Sequence, residues 1–156
     1  MTKKIEILVV EDRPENIAAA KEFFNKQKDV EVYYAKNAKE ARKALENKNF
    51  DLALIDWRLP EGKVGFEILE EAKKRAIPAA VFTEGKYYHG TVHGKRSDLF
   101  LDEHAVKDSS PVSYKFGPKN DPKSWEEAYK KLLEISNVEE IKKAKERYKR
   151  FTGKKF

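Results

Sequence analysis

The chain has 156 residues, 40% of them hydrophobic and 38% charged, and its formal net charge is +6. That length suits one domain with a core of its own, and a charged share well above the average of roughly 25% predicts a surface rich in ion pairs. The absence of cysteine excludes disulfides, thiolate metal sites and cysteine nucleophiles; the apolar run ending at Val10 is too short for a signal core or a membrane span, so a cytoplasmic protein with no membrane association is expected.

Ile5-Glu6-Ile7-Leu8-Val9-Val10 is almost continuously apolar and β-branched, as befits a central parallel strand covered on both faces. Pro14 can open a helix whose Ile17, Ala20, Phe23, Phe24 and Gln27 follow at roughly helical spacing to about Lys28. Val30 to Ala35 reads as a second strand, and Asn37 can cap a helix with a narrow face of Ala38, Ala41, Ala44 and Leu45. Asp51 to Asp56 is a third, buried-type strand, followed by a loop with Pro60, Gly62 and Gly65 and a helix carrying Phe66, Ile68, Leu69 and Ala72, which Lys73-Lys74-Arg75 bring to its end. Pro78 to Thr83 supplies a fourth strand. Alternation of this kind predicts a parallel sheet with right-handed crossovers, its strands ending on one edge.

From Glu84 to Pro111 no period is sustained, and the stretch reads as loop with a short helix or hairpin. Val112 to Phe116 is a candidate fifth strand, closed by Gly117-Pro118. Asp121-Pro122 then opens a helix with Trp125, Ala128, Tyr129, Leu132 and Leu133 on its apolar side. A last helix over about Val138 to Arg150 is capped by Asn137 with Glu140 three residues on. The expected division is a domain over 1–136 and a basic helical extension over 137–156. That extension holds eight Lys or Arg against three Glu and so most of the net charge.

Glu11 and Asp12 follow the first strand and Asp56 the third. At the carboxyl edge of an open parallel sheet, groups near the reversal of strand order share one crevice. Carboxylates gathered there repel and raise one another's pKa unless a cation compensates, and Mg2+ suits a few carboxylates plus waters and a phosphoryl group. Solvated turn residues are the alternative reading of the same charges.

The surrounding residues narrow the choice. Ile7 to Asp12, Asp51 to Pro60, Gly65-Phe66-Glu67-Ile68-Leu69 and Ile77 to Thr83, in that order and spacing over about residues 4 to 83, resemble the successive signatures of the CheY-like receiver domain of response regulators. The resemblance implies a flavodoxin-like, doubly wound, five-stranded parallel sheet of order 2-1-3-4-5, here with an extra C-terminal helix. It implies Asp56 as phosphoacceptor, Asp12 and Asp56 as magnesium ligands with Glu11 acting through water and the Arg58 backbone carbonyl completing the set, and Thr83 as the hydroxyl that bonds the phosphoryl oxygen. A histidine kinase or phosphotransfer protein would be the donor and a further protein the downstream partner. The chemistry would go no further than self-phosphorylation and autodephosphorylation.

The pattern departs from the family after about residue 84. Its Lys-Pro pair has no direct counterpart: Lys115, at the strand end, is the preferred match and puts Val112 at the aromatic switch position, whereas Lys119 puts Phe116 there. Glu84 stands where the family has a small residue.

Outside that pattern, His89, His93 and His104 could approach a metal, but Gly90 and Gly94 disfavour the helix this needs. Tyr87 and Tyr88 near Lys86, Lys95 and Arg96 could meet a base or a partner. Lys142, Lys145, Lys149 and Arg150 could neutralise nucleic-acid phosphates, and Ile141, Ala144 and Tyr148 opposite them could dock on the domain or on a second copy in a homodimer. Three functions therefore stand: a single-domain phosphoacceptor of a phosphorelay, a pseudo-receiver interaction module without phosphotransfer, and a basic nucleic-acid-associated protein.

Overall fold

The computed structural model describes residues 4–84, 97–100 and 114–136. Its elements in chain order are β1 (Ile5–Val10), α1 (Pro14–Phe24), β2 (Val30–Ala35), α2 (Ala38–Asn47), β3 (Leu52–Ile55), α3 (Gly65–Lys74), β4 (Ala79–Glu84), β5 (Ser97–Phe100), β6 (Tyr114–Phe116) and α4 (Pro122–Ile135). Each predicted element that lies within the described residues is present. Pro14 and Pro122 begin their helices, where the missing N–H costs nothing, and the Asn37 side chain accepts from Glu40 N at 2.8 Å. The first helix stops at Phe24, a turn short of the predicted end.

Alternation along the strands sorts the core into two layers. Leu8, Val10, Ala53, Ile55 and Val81 pack with α2 and α3, and Ile7, Val9, Leu52, Leu54, Ala80 and Phe82 pack with α1 and α4. The central strands are buried on both faces, which is why β1, β3 and β4 read as largely apolar runs.

Its topology corrects the expected count. The sheet has six strands in the order β2-β1-β3-β4-β5-β6, of the same flavodoxin-like α/β class, but β5 pairs antiparallel with both β4 and β6. The added strand, Ser97–Phe100, comes from the stretch that reads as loop with a short helix or hairpin. Its Leu99 and Phe100 point to opposite layers and are fully buried, so four residues earn their place by filling both cores. The common strand direction holds from β1 to β4. The segments with the histidines, Tyr87, Tyr88, Lys86, Lys95, Arg96 and Val112, and the stretch for which a last, basic helix is expected, lie outside the described residues. Among the described residues no helix is long and apolar enough to cross a membrane.

Candidate functional site

Register places the acidic residues together. Val10 stands opposite Ile55, and Ile55 opposite Val81, so the next residues along β1, β3 and β4 are Glu11, Asp56 and Phe82, with Thr83 one step on. Asp56 N donates to Val10 O at 2.9 Å, extending the ladder to the phosphoacceptor candidate itself. Carboxylate oxygens of Glu11, Asp12 and Asp56 lie within 4.8 Å of one another. A cleft of about 130 Å³ opens beside them, lined by Asp12, Arg13, Asn16, Asp56, Arg58, Leu59, Thr83, Glu84 and Lys119.

Lys119, not Lys115, brings its amine to this cluster. Its Nζ is 2.8 Å from Glu11 Oε1 and 3.8 Å from Asp56 Oδ2, donates to Phe82 O at 2.8 Å, and is 1% exposed. Lys115 is the exposed middle residue of β6, in register with Asp98. The preference for Lys115 assumed that the strand end and the site coincide. The loop after β6 instead carries a lysine back over the sheet edge, where two carboxylates compensate its burial.

The ionisation pattern follows from that placement. Burial opposes the charged form of Glu11, but the Lys119 amine and hydrogen bonds, including one from Asn16 Nδ2 at 2.7 Å, hold its pKa below the usual carboxylate range. Asp56 is pushed up to about 7, chiefly by burial and further by the Glu11 charge, with Lys119 and the Thr83 hydroxyl acting the other way. Asp12 is raised by burial and by Glu11. Lys119 stays charged: burial disfavours its ammonium, yet Asp56 and Glu11 raise its pKa.

The loop after Asp56 is fixed at both ends. Gly65 N donates to Trp57 O at 2.9 Å, and a Cβ on Gly65 would run into the Asp56 carbonyl and Trp57 Cα, so this position requires glycine. Leu59 and Gly62 exchange backbone bonds across a tight turn in which Gly62 has φ of 119°, a conformation that favours glycine. Glu61 in that turn accepts from Ala38 N at 2.9 Å and Lys39 N at 3.1 Å. These are amides of the first turn of α2, where a carboxylate also meets the helix dipole favourably, and its pKa is lowered accordingly.

The donor set fits Mg2+: hard oxygens, with Asp12 and Asp56 on an open cleft and Glu11 already engaged by Asn16 and Lys119, so that it would act through water. Sequence reasoning overlooked Asn16, whose signal is a polar residue on the buried face of α1 beside Ala19, Ala20 and Phe23. It also left unassigned Arg13, which precedes Pro14 at the cleft.

The description of the response regulator receiver domain matches residues 7–96. The chain belongs to that family. The receiver is similar in fold to a CheY-like response regulator receiver domain protein from Methanospirillum hungatei JF-1, with a TM-score of 0.60 at 20% identity over 91% of this chain and 99% of that one. It also matches the bacteriophytochrome response regulator AtBRR (TM-score 0.48, 26% identity, 54% of this chain and 69% of that one). A third match is the phosphorylated cyanobacterial phytochrome response regulator RcpA (0.47, 29%, 53% and 67%). No curated protein sequence matches the receiver.

Proposed function

We propose that this receiver accepts a phosphoryl group on Asp56 within two-component signalling, from a phosphohistidine of a histidine kinase or phosphotransfer protein, and passes the change on through protein contacts. The observation that carries the reading is the convergence of Glu11, Asp12, Asp56 and the Lys119 amine on one cleft with Thr83 at its side.

In the reaction an Asp56 carboxylate oxygen attacks phosphorus and the P–N bond of the donor breaks, the imidazole keeping the electron pair and taking up a proton. Asp12 and Asp56 would hold Mg2+, with Glu11 through water and the Arg58 carbonyl as a further ligand; bound there, the ion supplies positive charge to the phosphoryl oxygens. Asp56 reacts as its carboxylate, so a pKa of about 7 makes proton loss part of the activation. Lys119 would pair with a phosphoryl oxygen and the Thr83 hydroxyl with another, both placed before charge develops. Arg13 and Arg58 on the cleft draw an anionic donor, while Glu84 opposes it. Phe116, with its ring 6.3 Å from that of Phe82, takes the aromatic switch position once Lys119 is the site lysine.

Incubation with acetyl phosphate and Mg2+ should add one phosphoryl group to the wild type and none to Asp56→Asn, and beryllofluoride should bind the wild type alone. No modification and no beryllofluoride binding would leave the second reading, an interaction module with a receiver fold and no phosphotransfer.

A further inference from the structure

Lys119 is three residues beyond β6, so no strand ladder fixes its backbone, and a four-carbon stem has many rotamers to choose from. Its amine is nevertheless held in one place. Trp125, in the first turn of α4 and 1% exposed, donates its indole Nε1–H to Lys119 O at 2.6 Å. The same indole walls the other end of the lysine: Nζ lies 5.3 Å from the Trp125 ring and 5.2 Å from that of Phe82, within cation–π range. The two rings meet edge to face at 4.9 Å and 84°. One residue of α4 therefore grips the lysine at its main chain and encloses its amine.

The amine is 1 Å closer to Glu11 than to Asp56, so pairing with a group on Asp56 would draw it away from Glu11 and along the faces of those rings. Resting on the phosphoacceptor reading, we infer that Trp125 is a positioning residue that sets the place of the Lys119 amine between Glu11 and Asp56 and thereby couples the state of Asp56 to the first turn of α4. Trp125 is not among the residues lining the cleft and acts through Lys119.

Trp125→Phe deletes the N–H and keeps an aromatic wall. The rate of phosphorylation by acetyl phosphate at saturating Mg2+ is expected to fall about tenfold, the scale of one buried hydrogen bond. Mg2+ affinity, measured by calorimetric titration, should stay at the wild-type value because Asp12 and Asp56 are untouched. In the wild type the Trp125 indole N–H resonance should move when beryllofluoride and Mg2+ are added. A variant that reacts at the wild-type rate, or one that loses rate and Mg2+ affinity together, overturns the inference, the second outcome marking a general loosening of the core. If the variant does not fold, the wild-type resonance decides: an indole signal unmoved by bound beryllofluoride overturns it equally. A wild type that binds no beryllofluoride at all sinks the phosphoacceptor reading and this inference with it, whereas binding with an unaffected variant sinks the inference alone.

Discussion

The two halves of the receiver are built by different rules. From β1 to β4 every strand runs the same way and a helix follows or precedes it, so the strand ends deliver Glu11, Asp12, Asp56 and Thr83 to one edge by topology alone. Beyond β4 the sheet grows by two antiparallel pairings, and the site residue from this half arrives on a loop, held by side chains. The first half concentrates negative charge and the second supplies the cation that makes the concentration tolerable. The halves are thus joined at the site by electrostatics as much as by packing.

Cutting that joint should have the largest effect. Lys119→Met leaves buried Glu11 without its counter-charge, and a loss of about 3–5 kcal/mol is expected in urea denaturation at pH 8, partly recovered on acidification as Glu11 takes a proton. Lys115→Met, at an exposed position of the same region, should change stability by no more than an exposed ion pair contributes, under about 1 kcal/mol; equal losses in the two variants would erase the distinction between the lysines. Within the first half, Gly65→Ala forces the Asp56–Trp57 backbone aside. It should cost about 1–3 kcal/mol and weaken Mg2+ binding, seen as a smaller melting-temperature gain on adding the ion.

The acidic half can be probed by pH. With Asp56 raised from 3.8 to about 7, the folded protein holds a proton that the unfolded chain has released between those values. Stability from this group is therefore present below the unfolded pKa and is lost as pH rises through the folded one. Metal-free Asp56→Asn should melt above the wild type at pH 8, the gap closing toward about pH 4, and saturating Mg2+ at pH 8 should raise the wild type more than the variant. A gap independent of pH would show that the carboxylate is not strained by its surroundings. The smallest effects belong to positions remote from the joint. Ala76, just past α3, has φ of 58°, so Ala76→Gly should stabilise by up to about 1 kcal/mol. Tyr34→Phe removes a buried hydroxyl that has no hydrogen-bond partner among the described residues and should be neutral or slightly stabilising in the same assay.

Legibility in the sequence follows the same division. Strands β1, β3 and β4 are visible because burial on both faces leaves runs such as Leu8-Val9-Val10 and Leu52-Ala53-Leu54-Ile55, and Glu11, Asp12 and Asp56 are visible because each stands where such a run stops. Ser97-Asp98-Leu99-Phe100 has no such length, and what makes it a strand is its pairing with residues on either side in space. The site lysine was ambiguous for a related reason. Position along a strand favours Lys115, while the case for Lys119 rests on Phe82, Glu11 and the indole of Trp125, contacts that only folding assembles. Phe116 three residues before Lys119 and a tryptophan six after it were the available hints.

The chain has two tryptophans, one next to Asp56 in the sequence and one packed against Lys119. Trp57 follows Asp56 and is flanked by the cationic groups of Arg58 and Lys63 at 5.4 and 5.2 Å, while Trp125 is sealed in the interior behind Lys119. Nature has given this molecule a pair of intrinsic fluorophores, one half-wet and one dry. Their emission should differ in colour and in susceptibility to aqueous quenchers, so a change on the solvent side of the chemistry can be told optically from a change on its inner side without attaching a dye.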